Sequence, residues 1–198
     1  MVALAKVFLP TEEIKFFDTA KSTTTAASSG TVLSSSLVLI EQGNGESNRI
    51  GRKCVVSSLH MRGKIHLPTT TPNQSADVCR IIVYVDRACN GLAATVALLL
   101  ASADYRSFRN LDNSGRFRTL MDQSFAINIQ GAAGDGTTNA TNEAMLAWSL
   151  NKRVTVPLEF DASTGAITDL TGSNIGVIAI SDSGLAEVDY IARVRFSG

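Results

Sequence analysis

The chain has 198 residues, 44% of them hydrophobic and 18% charged, with 18 Lys/Arg balanced by 18 Asp/Glu. This is the composition of a folded globular protein, and the length suits one domain with a sizeable core. The net charge is zero, so the sum argues for no particular partner. No apolar run approaches the ~20 residues of a membrane-spanning helix, so no membrane insertion is expected.

Charge is unevenly placed. Residues 1–48 carry three Lys/Arg against five Asp/Glu, residues 49–118 eleven against four, and residues 119–198 four against nine. Such polarity inside one domain predicts opposite charge on different surfaces, with a basic surface built from the middle of the chain. The cysteines are Cys54, Cys79 and Cys89, an odd number without a CxxC pair, and there are only two histidines, His60 and His66. This pattern excludes a structural zinc site and fits folding in a reducing compartment. Residues 1–10 hold an apolar patch but lack the layout of a secretory signal peptide.

In chain order, residues 11–21 fit either a short strand or a helical turn. Residues 22–36 are almost all Ser, Thr, Ala and Gly, so residues 1–36 read as an extended Ser/Thr-rich arm and 37–198 as the folded domain. LVLI at 37–40 reads as a short strand ending at the polar turn 42–48. A basic lead-in, Arg49-Ile50-Gly51-Arg52-Lys53, opens a long alternating run from Cys54 to Leu67. Val55, Leu59, Met61, Ile65 and Leu67 share one parity, with Ser57 and Gly63 as its small members. His60, Arg62, Lys64 and His66 share the other. Period-two alternation predicts a strand with one buried face and a cationic or protonatable row on the other.

VCRIIVYVD at 78–86 reads as a second, nearly continuous apolar strand. The Ala/Leu-rich run within 87–104 suits a short helix in a crossing loop. Residues 105–115 form a turn-rich loop, and 116–130 a strand interrupted near Asp122-Gln123. Residues 131–143 and 161–174 are loops. The segment 144–158 holds a strand whose Pro157 marks a sheet edge or bulge. Residues 175–182 and 187–196 are the final strands, joined at Ser183-Gly184. In the last, Val188, Tyr190, Ala192, Val194 and Phe196 alternate with Glu187, Asp189, Arg193 and Arg195. Long polar loops, little helix and no strand–helix–strand alternation predict an all-β fold, an eight-stranded antiparallel jelly-roll sandwich with at most short helices. The lone Trp148 is not bracketed by cysteines, which disfavours an immunoglobulin-type sandwich.

Several segments resemble a family. Gln42-Gly43, then Arg49-Ile50-Gly51-Arg52-Lys53 and a long strand, then Arg80-Ile81-Ile82-Val83-Tyr84-Val85-Asp86, are similar to the single-jelly-roll capsid proteins of small circular single-stranded DNA viruses. These encode a replication initiator, and their capsids look like those of the satellite tobacco necrosis virus type. Arg106-Ser107-Phe108-Arg109-Asn110-Leu111-Asp112 and Arg116-Phe117-Arg118-Thr119-Leu120-Met121-Asp122 are similar to the central strands of the same family. The resemblance covers roughly residues 37–130. It implies a virion coat protein, made inside a host cell, that assembles with itself into a small icosahedral shell. The simplest shell has T=1 symmetry and on the order of 60 copies. It further implies an enclosed single-stranded DNA genome, bound without sequence preference, and no catalysis. The chain departs from the family in one respect. Many such proteins begin with an Arg/Lys-rich arm, whereas residues 1–48 here hold only Lys6, Lys15 and Lys21.

Two groups of residues are candidates for contact with nucleic acid. Arg52, Lys53, Arg62 and Lys64 form a basic row able to meet phosphates, which requires cationic donors but no base-reading geometry. Tyr105, Arg106, Phe108 and Arg109 place rings and guanidinium groups in one loop, where unpaired bases can stack. Asp77, Asp86, Asp104, Asp112 and Asp122 form no compact array that would supply the roughly six to eight oxygens of a calcium site. No metal, cofactor or host receptor is assigned. No GxSxG elbow, P-loop or HExxH occurs, so no catalytic residue is assigned either. A secreted or surface β-sandwich, either carbohydrate-binding or adhesin-like, stands as the alternative, supported by the Ser/Thr-rich start and the polar loops.

Overall fold

The computed structural model describes residues 13–68, 76–128 and 145–198. The loop expected at 131–143 and the first twelve residues lie outside these. Eight strands form two four-stranded antiparallel sheets: β1 (Lys15–Thr25), β2 (Thr31–Ser34), β3 (Lys53–His66), β4 (Ala76–Asp86), β5 (Phe117–Asn128), β6 (Met145–Glu159), β7 (Asn174–Ser181) and β8 (Glu187–Ser197). Their orders are β1-β8-β3-β6 and β2-β7-β4-β5. The first strand thus pairs with the last, the second with the seventh, the third with the sixth, and the fourth with the fifth. The chain is one long hairpin rolled into a sandwich, the jelly-roll arrangement. The Ala/Leu run supplies only a four-residue helix, α1 (Val96–Leu99).

The inner faces of the two sheets meet in one large core that includes Leu59, Met61 and Ile65 of β3 and Val83 and Val85 of β4. The two outer faces fare differently. Residues 87–117 lie over the second sheet, where Ala94, Leu99, Leu100 and Phe117 pack on Ile82, Tyr84, Ile178 and Ile180. This cover explains why β4 and β7 read as continuous apolar runs, since both of their faces are buried. Two ion pairs anchor it. Arg80 grips Asp122 at 2.6 and 2.7 Å and also donates to the carbonyls of Tyr105 and Ser107. Arg116 grips the fully buried Asp86 at 2.7 Å. Among the described residues nothing comparable covers the outer face of the first sheet, and β3 and β8 alternate.

Four expectations are corrected. Residues 15–34 are not an arm outside the jelly roll, because they supply β1 and β2. Their Thr residues are β-branched and suit an edge strand, whose partners lie at the far end of the chain. Residues 37–40 form no strand, although Leu37, Val38 and Ile40 are buried. Arg49 is not part of a basic surface. It is fully buried, donates to the carbonyls of Ile40, Gly51 and Ala162, and stacks 4.1 Å from the Phe160 ring. Finally, β3 changes face at a bulge between Val56 and Ser58. Cys54 and Val56 point inward before it, and Leu59, Met61 and Ile65 after it, so Val55 lies on the outer side, 37% exposed. Pro157 does sit on an edge strand, β6, one residue from the same irregularity in pairing.

Gly63 lies on the inner parity of β3, under Trp148. A Cβ there would stand 2.4 Å from the Asp189 carbonyl oxygen and 2.8 Å from the indole. Gly63→Ala should therefore cost about 1–3 kcal/mol through overpacking. A lowered urea midpoint with an unchanged slope would show this, and an unchanged midpoint would refute it.

Candidate nucleic-acid interface

The eight residues nominated from sequence do not converge. Arg52 donates from Nε to the Phe160 carbonyl at 3.1 Å and from Nη2 to that of Asp161, bracing the loop before β3. Lys53 pairs with Glu159 across β6 at 3.3 Å. Arg62 and Lys64 lie on the same strand but roughly 30 Å further along it. Tyr105, Arg106, Phe108 and Arg109 belong to the segment that covers the second sheet, on the opposite side of the sandwich. Arg106 is held by Asp104 at 3.0 Å, and Arg109 donates to the Phe117 carbonyl at 2.8 Å. Phe108 is the ring most open to solvent there, 87% exposed.

The register of the first sheet brings other residues to Arg62. Ser58 pairs with Arg153 of β6 on one side and Arg195 of β8 on the other. One step along, His60 lies between Asn151 and Arg193; the next step sets Arg62 between Ser149 and Ile191. Arg62, Arg153 and Arg195 are exposed, and none has an ion-pair partner among the described residues. The carboxylates on this face are occupied. Asp18 takes Arg193 in a two-pronged bond at 2.6 and 2.7 Å, Asp189 takes Lys64 at 3.6 Å, and Glu187 takes His66 at 3.0 Å. Arg193 also lies over the Phe16 ring, 4.7 Å from its centre. An open groove of about 510 Å³ runs here, lined by Asp18, His60, Arg62, Ile191 and Arg193. The outward parity of Arg195 is visible in the alternation of its strand. That it neighbours Arg153 and Arg62 follows from strand pairing alone.

No family model matches the chain, and no curated protein matches it. Among solved structures, the chain is similar to one of Desmodium yellow mottle tymovirus, at 12% identity and a TM-score of 0.39, over all of this chain and 94% of that one. It is also similar to the VP2 subviral particle of infectious bursal disease virus, at 8% identity and a TM-score of 0.24, over all of this chain and 44% of that one. The jelly-roll assignment rests on the strand order described above.

The aspartates considered for calcium are spread through the fold. Asp86, Asp104 and Asp122 serve the arginine pairs described, and Asp77 accepts from the hydroxyls of Ser181 and Ser183 beside the β7–β8 turn. Among the described residues no group of three or more His, Cys, Asp or Glu is arranged to hold a metal. All three cysteines are buried. Burial pushes Cys54 up to about 11 and Cys79 up to about 12, and also raises Cys89. At neutral pH they remain protonated and unreactive. The native protein should leave all three thiols unmodified by Ellman's reagent and release them only on denaturation. A thiol that reacts at once in the native protein would contradict this.

The Arg193 hydrogen bonds hold the Asp18 carboxyl below its ordinary 3.8. A carboxyl lowered in the native state stabilises the fold above its unfolded value. That contribution is lost as pH falls through the native value. Asp18→Asn should therefore lower the thermal midpoint near neutral pH, and the gap to the parent should close as pH falls below 3.8. A gap that persists in acid would show that Asp18 acts by packing alone.

Proposed function

We propose that this chain is a coat-type subunit that assembles with copies of itself into a small closed shell enclosing single-stranded DNA. The reading places it in a virion, with T=1 as the simplest symmetry. One observation carries it: a firmly hydrogen-bonded loop holds large apolar side chains out in water. Phe108 is 87% exposed and Leu111 79%. The loop around them is fixed by bonds from Arg80 to the Tyr105 and Ser107 carbonyls, from the Asn110 amide to Leu99, and from the Asn113 side chain to Leu98. Ordering such a loop is costly unless the exposed side chains meet a partner, and a rigid aromatic anchor flanked by Arg106 and Arg109 suits a protein–protein contact. The jelly-roll order and the sequence resemblance both support a coat protein as the setting, since the fold alone hosts many functions.

Light scattering and negative-stain microscopy of the purified protein test this. Uniform closed particles are expected. Phe108→Asp with Leu111→Asp should abolish them and leave a folded subunit. A parent that remains a 21.0 kDa monomer at neutral pH and moderate salt would overturn the reading and favour a β-sandwich binding module.

A further inference from the structure

We propose that the uncovered outer face of the first sheet is a binding site for single-stranded nucleic acid, formed by Arg62, Arg153 and Arg195 with Phe16 as a stacking platform. It deepens the shell reading, and rests on it for the identity of the strand. Three elements far apart in sequence, β3, β6 and β8, each place on this face one exposed guanidinium without an ion-pair partner among the described residues, beside the Arg193 held by Asp18. Arg153 and Arg195 flank Ser58 on neighbouring strands, about 10 Å apart, with Arg62 roughly 13 Å along. The nearby carboxylates Asp18, Asp189 and Glu187 already hold Arg193, Lys64 and His66, so among the described residues no carboxylate takes these three arginines, and they can meet an external anion.

The chemistry favours a single strand over other polyanions. Phe16 is 37% exposed on the same face, pairs in register with Arg195 and carries Arg193 over its ring at 4.7 Å, so a half-open ring lies between two cations. Bases of a single strand stack on such rings while phosphates meet the guanidinium groups. A sulfated glycan has no base to stack. A duplex hides its bases and is read by elements that enter a groove, which this sheet face does not offer. Apolar Ile191, 62% exposed, and the groove beside Arg62 and His60 give an unstacked base further contact.

The test is fluorescence anisotropy with a labelled oligothymidylate at low salt, with circular dichroism to confirm folding of each variant. Arg153→Ala with Arg195→Ala should weaken binding about tenfold and reduce the salt slope by about 1.4, the loss of two single-strand phosphate contacts. Arg87→Ala with Arg118→Ala removes equal charge on the side of the other sheet and should stay within about twofold of the parent. Phe16→Leu should weaken oligothymidylate binding while leaving heparin binding unchanged. Equal losses in both arginine pairs would show that only net charge matters and would overturn the site. Heparin and oligothymidylate binding with the same arginine dependence, and no effect of Phe16→Leu, would overturn the single-strand assignment. The same samples are sized by light scattering. Shells that form without this binding defeat the site alone, whereas binding by a protein that never assembles defeats the shell reading alone.

Discussion

The outward chemistry of this protein depends on one bulge in β3. Between Val56 and Ser58 the strand changes face against both of its neighbours at once. Before the bulge, the outward residues are Lys53 and Val55; after it, they are Ser58, His60, Arg62 and Lys64. Because side chains alternate with a period of two, a strand without this bulge would have to bury either Cys54 and Val56 or Leu59 and Met61, but not both pairs. The bulge keeps both halves of the core and sets Ser58 outward between Arg153 and Arg195.

The second constraint is the unequal covering of the two sheets. Residues 87–117 lie over the β2-β7-β4-β5 sheet and are pinned by Arg80–Asp122 and Arg116–Asp86. Such buried or half-buried pairs are weak evidence of net stability, but their geometry ties the long loop to the sheet at two points. The consequence is a two-sided molecule. One side presents a rigid loop with Phe108 and Leu111, suited to a neighbouring subunit. The other presents a sheet face that no described segment covers, with Arg62, Arg153 and Arg195 exposed and without ion-pair partners among the described residues. On the proposed reading, assembly and nucleic-acid binding would use opposite faces of the same sandwich and would not compete for surface.

Much of the fold was legible in the letters. The strands from β3 onward lie within a residue or two of expectation, because one-face burial leaves alternation and two-face burial leaves a continuous run. The parity of β8 was read correctly along its whole length. Residues 11–21 leave strand and helical turn open, and the rest of β1 and all of β2 carry no signal, because their Ser/Thr-rich sequence has little hydrophobic period. They are strands only through pairing with β8 and β7. The bulge was hidden because Val55 and Ser57 continue the parity of Leu59 without a break. The candidate site was half legible. Arg62 lies on the outward row of an obvious strand, but Arg153 and Arg195 join it through sheet order, which no local pattern encodes. Arg49, by contrast, looked like surface charge and is a buried brace, because its partners are carbonyls that composition does not reveal.

The proposal that most needs testing is that the outer face of the first sheet, which no described segment covers, meets nucleic acid, and that the 105–109 loop does not. Ultraviolet cross-linking of the protein with single-stranded DNA, followed by mass spectrometry of the joined peptides, addresses it most directly. Cross-links are expected on peptides from β1, β3 and β8, centred on Phe16 and His60, the ring-bearing residues beside the arginines. Cross-links confined to the peptide carrying Tyr105 and Phe108 would contradict it.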